Sequence, residues 1–146
     1  LEADTILIAV GGGGLIAGMT AWFSKEKKIV AVEPEKSCAL NAALSAGQPV
    51  DVKVSGVAVN ALGAKRIGKI CYDLACANNI ESVLVSDAAI VESQKLLWSK
   101  HRQLVEPAGA TALAALLSGS YQPKKNETVA ILACGANIEP DPFLSN

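Results

Sequence analysis

The stretch TILIAVGGGGLIAG, residues 5–18, decides the fold. Its first six residues form an apolar run rich in β-branched side chains and closed by glycine, the pattern of a strand buried on both faces. Each of the next four glycines would cost a helix interior roughly 1 kcal/mol relative to alanine. A tight loop uses them without that cost, so the stretch predicts a strand, a glycine loop and a helix over Leu15 to Ser24. The same argument removes a membrane span. Thr5 to Ser24 carry no charge over twenty residues, as a spanning helix would, but Gly11 to Gly14 interrupt that helix at its centre. With no basic leader and no small-residue cleavage pattern at the start, the chain reads as soluble, without a membrane partner.

Working outward, Ile29 to Val32 is a second buried strand ended by Glu33-Pro34, and Ser37 to Ala46 a helix ended by Gly47. Together they complete a βαβ unit. Gln48 to Ala64 alternates valines with interrupting glycines and is open between an ordered loop and an edge strand. Ile67, Ile70, Cys71, Leu74 and Ala75 mark the buried stripe of a helix over Lys65 to Asn78. Ser82 to Val85 is a strand. Ser86 or Asp87 caps a helix running to about His101, with Ile90, Val91, Leu96 and Leu97 inward. Pro107 to Leu117 is an alanine-rich interior helix, and Val129 to Ala133 the last buried strand. This order predicts an α/β fold: an open, doubly wound parallel sheet with helices on both faces, a three-layer arrangement, and the glycine loop at the strand C-terminal ends.

Composition agrees. The chain has 146 residues and 15.0 kDa, 51% hydrophobic and only 4% aromatic, which is one domain of ordinary size or part of a larger one. Thirteen basic against fourteen acidic side chains, without blocks of one sign, exclude a nucleic-acid partner or an anionic bilayer surface. The partner is a small molecule or another protein. Cysteines 38, 71, 76 and 134 form no CxxC pair and, with His101 the single histidine, no zinc set. They read as free buried thiols of a reducing compartment, hence a cytoplasmic protein. The chain begins at Leu1, and its one methionine is Met19; it reads as a processed chain or a piece of something longer.

A glycine run that opens a helix brings backbone N–H groups together where the helix dipole favours an anion, so the expected ligand is a phosphate. A tight turn with close strand-to-helix packing is the bland alternative. Gly12, Gly14 and Ala17 also fit GxGxxA, with Glu33 at the end of the next strand where a ribose-binding acid would sit. A Rossmann-type dinucleotide-binding domain is therefore a rival. A P-loop is not, because no Gly-Lys-Ser/Thr follows.

Two later segments separate these readings. Val105-Glu106-Pro107-Ala108-Gly109-Ala110 opens the alanine-rich helix with an acid and a proline; Leu132-Ala133-Cys134-Gly135-Ala136-Asn137 ends the last strand on a small polarizable side chain. Taken with GGGGLIAG and AVEPE (residues 31–35), they resemble the C-terminal part of the serine/threonine dehydratase family of pyridoxal-phosphate enzymes, whose fold includes serine racemase and the tryptophan synthase β chain. The resemblance runs from about Ala3 to Ile138. It implies pyridoxal 5'-phosphate as cofactor, held at its phosphate by Gly11, Gly12, Gly13, Gly14 and the amide of Leu15, at its ring nitrogen by Cys134, and flanked by Glu106. It also implies an ammonia-lyase that removes water from L-serine or L-threonine to give a 2-oxo acid and ammonia. A neutral thiol at the ring nitrogen leaves it unprotonated and favours loss of the β-hydroxyl. For Cys134 the bland alternative is a core thiol, and for Glu106 a helix N-terminal acid of structural use only.

Several features depart from the family. Some relatives bind a divalent cation through the acid closing the second strand and a second acid shortly after; Glu33 matches the first, but Ser37, Cys38 and Ala39 supply no second carboxylate. A family Asp before the glycine of the middle loop is Ser55 here. His101 reads as a surface or capping residue. The Schiff-base lysine of the family lies in an N-terminal part, with the small domain. Lys25, Lys27 and Lys28 end a helix, Lys95 and Lys100 lie on a solvated face, and Lys124 and Lys125 fill a turn, so none has its context. The resemblance thus implies a large-domain fragment, inactive alone, whose partners are an amino-acid substrate, the N-terminal part of the same enzyme and a second copy in a homodimer. A serine-racemase-like reaction of the same fold and a non-catalytic regulatory module are the other readings.

Overall fold

The computed structural model describes residues 2–137; Leu1 and residues 138–146, Ile138 among them, lie outside the described residues. The elements are β1 (Thr5–Ala9), α1 (Gly14–Phe23), β2 (Lys28–Pro34), α2 (Ala39–Ala46), α3 (Val59–Leu62), α4 (Lys69–Ala77), β3 (Glu81–Val85), α5 (Asp87–His101), α6 (Pro107–Leu117) and β4 (Val129–Ile131). All pairings are parallel, and the strand order is β3-β2-β1-β4.

The two-residue period of a strand sorts its side chains between two cores. Leu7 and Ala9 of β1, with Val30 and Val32 of β2, face α5 and α6; Ile6, Ile8, Ile29 and Ala31 face the layer of α1, α2 and α4. The expected three-layer α/β sheet is therefore present. Alanines 108, 110, 112, 114 and 115 are buried, and these small side chains let α6 lie against β1, β2, β3 and α5 together. Ser86 caps α5, its hydroxyl accepting from Ala89 N–H at 3.2 Å, while Asp87 in the first turn and Lys100 and His101 in the last suit the helix dipole.

Several boundaries shift. β4 stops at Ile131, two residues short of the expected end, although Leu132 N–H still reaches Leu7 C=O at 3.1 Å. Lys28 opens β2 instead of ending a helix, and pairs with Glu81 at 2.7 Å. Residues 48–64 form an irregular loop containing the short helix α3, not an edge strand. α4 starts only at Lys69, and Ile70 is 74% exposed; the stripe keeps Cys71 and Ala75 buried, and Ile67 is buried in the approach to the helix. On α5 the buried set includes Ser93 and Gln94, whereas Val91 and Leu96 are only half-buried. Among the described residues, no helix is long and apolar enough to cross a membrane.

Candidate functional site

Strands β1, β2 and β3 succeed one another in one direction across the sheet, and β4 enters on the other side of β1. The crevice at the C-terminal ends of β1 and β4 is therefore the topological switch point, where open α/β sheets bind ligands. The glycine loop leaves β1 there and Cys134 follows β4. A cavity of 250 Å³ occupies this crevice, and Gly11, Gly12, Gly13, Gly14, Leu15, Glu106 and Cys134 all line it.

The four glycines do two different things. A Cβ on Gly11 would lie 3.0 Å from Ala61 C=O, and one on Gly13 would lie 2.5 Å from Cys71 Sγ. Gly13 also has φ 91°, a left-handed value that only glycine adopts freely. These two are glycine because of packing, as the bland reading requires. Gly12 and Gly14 have nothing within 4 Å of a Cβ. Their open side leaves backbone accessible, and α1 begins with no side-chain cap and no acid in its first turn. An anion would find unpaired N–H groups and the positive end of the helix dipole at this point.

The opposite wall is built by close approach of α6 to the end of β4. Gly109 lies where a Cβ would be 2.5 Å from Cys134 C=O and 3.0 Å from Gly135 C=O. Glu106 N–H donates to Gly135 C=O at 3.4 Å, and the buried Gln94 side-chain amide donates to Val105 C=O at 2.9 Å. One peptide unit thus ties α5 to the turn after β4. Glu106 stands at the N-cap of α6 yet its side chain makes no capping bond; it lines the cavity instead. α3 closes the cavity through Ala61 and Leu62, and the Ser37 hydroxyl, donating to Leu62 C=O at 2.6 Å, holds α3 there.

Glu33 is elsewhere. It is fully buried, and its two carboxylate oxygens accept from Leu40 and Asn41 N–H at 2.8 Å each, with Ser82 Oγ at 3.4 Å. It caps the start of α2. Burial pushes its carboxyl up to about 7, against the opposing pull of those hydrogen bonds. Both carboxylate oxygens are thus engaged within the protein, and Glu33 does not line the cavity of the glycine loop. The four cysteines are free, but only Cys71 is buried; Cys38 and Cys134 are half-buried and Cys76 is exposed. His101 is exposed, as expected.

Sequence reasoning assigned no part in shaping the site to α3, Gly109, Gln94 or Cys71. Gly109 had a signal: a glycine inside an otherwise alanine-rich helix marks a close backbone approach. The others act through space or through a polar group at a core position, which apolar periodicity does not register.

Residues 1–135 match the family model described as "Pyridoxal-phosphate dependent enzyme". The biosynthetic L-threonine dehydratase of Salmonella typhimurium is 36% identical over 140 residues, 92% of this chain and 27% of that protein. Among solved structures, a threonine deaminase from T.th. superposes with a TM-score of 0.85 at 29% identity, covering 97% of this chain and 53% of that one. The serine racemase of Dictyostelium discoideum gives 0.84 at 28% identity, covering 95% and 46%. The chain thus spans between about a quarter and a half of the length of these proteins.

Proposed function

The chain belongs to the pyridoxal-phosphate dependent enzyme family, and on that premise we propose that it supplies the cofactor-holding half of an ammonia-lyase converting L-serine or L-threonine to a 2-oxo acid and ammonia. Its cofactor is pyridoxal 5'-phosphate. The dinucleotide-binding rival falls with the family match. The observation that carries the proposal is the convergence of Gly11 to Leu15, Glu106 and Cys134 on one cavity at the β1/β4 switch point.

The residues fit the group. Gly12 and Gly14 leave the space that side chains would fill, and the uncapped start of α1 suits a phosphate dianion. Leu15, which lines the cavity in the first turn of α1, would offer its amide. On the facing wall, Cys134 would hold the ring nitrogen through its thiol, and Glu106 would flank the ring. When bound, the cofactor supplies an electron sink that acidifies the Cα–H of an amino acid. The chain's own residues would orient that sink, and a thiol at its nitrogen, unlike a carboxylate, would not stabilise a protonated ring, which would favour departure of the β-hydroxyl. The lysine that handles the Cα proton, the small domain and the second copy of a homodimer belong to the remainder of such an enzyme, which we place in the cytoplasm. Likeness to serine racemase makes racemisation of serine the second reading.

Calorimetry of the chain with pyridoxal phosphate and with NAD tests the proposal. Binding of the first and not the second is expected; the reverse would overturn it. Binding without turnover, and turnover only when the N-terminal part is supplied, is the accompanying expectation. Turnover by the 146 residues alone would show that the catalytic lysine lies among them, and a completed protein that binds but never turns over would favour the regulatory module.

A further inference from the structure

The glycine loop is a partition between two cavities. On one side is the 250 Å³ cavity of the candidate site. On the other, a groove of 650 Å³ runs between α1 and α4, and its floor is the back of Gly12, Gly13 and Gly14. The loop rests on the approach to α4 and its first turn. Gly13 lies over Cys71 and Ile67, both buried, at distances that leave no room for a methyl group. Gly12 C=O accepts from Gly68 N–H at 3.5 Å. Because a trans peptide holds its C=O and N–H on opposite sides, that bond turns the Gly13 N–H away from α4 and the groove.

We infer that Ile67, Gly68 and Cys71 form a positioning seat for the phosphate loop, and that Cys71 sets the height of the loop by its volume. The inference rests on the cofactor-holding reading for its consequence, though not for its geometry. Cys71 works here as a filler and not as a nucleophile. Burial, aided by the charge of Glu33, pushes its thiol up to about 11, so it stays protonated at neutral pH and its reactivity is low. The thiol fills the space beneath a residue that cannot carry a side chain. A larger group would lift Gly13, break the Gly68–Gly12 bond and release the peptide that aims the Gly13 N–H. Cys71 lines the groove beneath the loop and not the cavity that Glu106 and Cys134 line, so its effect falls on the phosphate end of the ligand alone.

The test compares Cys71→Leu, Cys71→Ser and Cys71→Ala with the parent chain, using pyridoxal phosphate, inorganic phosphate and pyridoxal as probes. For Cys71→Leu, overpacking beneath Gly13 should weaken the two phosphate-bearing probes by about tenfold or more and leave pyridoxal within about threefold. Cys71→Ser, similar in size, should keep all three near parental affinity. A general loss of stability would weaken all three probes together, and that result, or unchanged phosphate binding in a folded Cys71→Leu, overturns the inference. Amide resonances of Gly12 to Leu15 in the ligand-free chain give a second readout. They should move in Cys71→Leu while those of Cys134 to Asn137 do not; loop resonances that stay in place overturn it. Should Cys71→Leu fail to fold, Cys71→Ala decides: amide resonances of Gly12 to Gly14 that move support the seat, and resonances that stay in place refute it. If the parent binds no phosphate-bearing probe, the proposed function fails, while the amide readout still judges the seat.

Discussion

The two ends of the parallel sheet are built on opposite plans. At the N-terminal end the polar groups are joined to one another. Thr5 and Tyr121 hydroxyls both donate to Glu127, whose other oxygen accepts from Lys124 N–H. Thr128 N–H donates to the Asp4 carboxylate at 2.8 Å, and Lys28 bridges Glu81 at 2.7 Å while lying over the Tyr121 ring. At the C-terminal end β1 runs into glycines and α1 starts without a cap. The difference teaches where stability and binding are divided: one end satisfies its donors internally, and the other leaves them for a ligand.

The largest expected effect comes from forcing the close wall of the open end apart. In Gly109→Val, a Cβ 2.5 Å from Cys134 C=O pushes the turn after β4 off α6, with a loss of about 3 kcal/mol in urea unfolding. A loss no larger than that of an exposed-helix glycine change would mean that the wall is compliant.

Two carboxylates sharpen the contrast through pH. Glu33, near the C-terminal end of β2, has its pKa raised from 4.5 to about 7 by burial. The folded chain therefore holds a proton that the unfolded chain has released, so this contribution is present below pH 4.5 and is lost as pH rises to about 7. The loss amounts to about 3 kcal/mol at 1.36 kcal/mol per pKa unit. Glu33→Gln should flatten the stability profile between pH 5 and 8, and an equally steep profile would assign the slope to another group. Glu127, at the other end, is held down to about 2 by the Thr5 and Tyr121 hydroxyls first and the Lys124 amide next. Its contribution is present above pH 4.5 and is lost as pH falls towards 2. Glu127→Gln should remove part of the acid limb of the unfolding curve and leave the neutral limb unchanged.

The smallest effect on stability should come from Gly12→Ala and Gly14→Ala. Neither Cβ meets an atom within 4 Å and neither residue has positive φ, so stability should change by no more than about 1 kcal/mol, in the stabilising direction for Gly14 within α1. Both should nevertheless weaken pyridoxal-phosphate binding in a titration. Unaffected binding would mean that the ligand does not approach this side of the loop.

The sheet was legible in the sequence because buried parallel strands such as TILIAV and IVAV leave continuous apolar runs between glycine and proline signals. The loop over residues 48–64 was not, since alternating valines suit a strand and a half-packed loop equally; packing of Leu62 and Ala58 into the core selected the loop. Ile70 lies on the edge of its helical stripe that borders the open groove between α1 and α4, so it is exposed beside the buried Cys71. For the site, motif residues that carry chemistry could be named in advance and share a cavity, whereas the residues that shape it, Ala61, Gly109 and Cys71, contribute only volume or its absence.

The divided glycine run also has an entropic consequence. Ordering a residue's backbone costs roughly 1–2 kcal/mol, and glycine loses the most freedom. For Gly11 and Gly13 that freedom is already removed in the folded chain, by Leu62 on one side and Cys71 on the other. A phosphate arriving at Gly12 and Gly14 meets neighbours that are fixed beforehand, so its binding should carry a small entropic penalty for a loop with four glycines in a row.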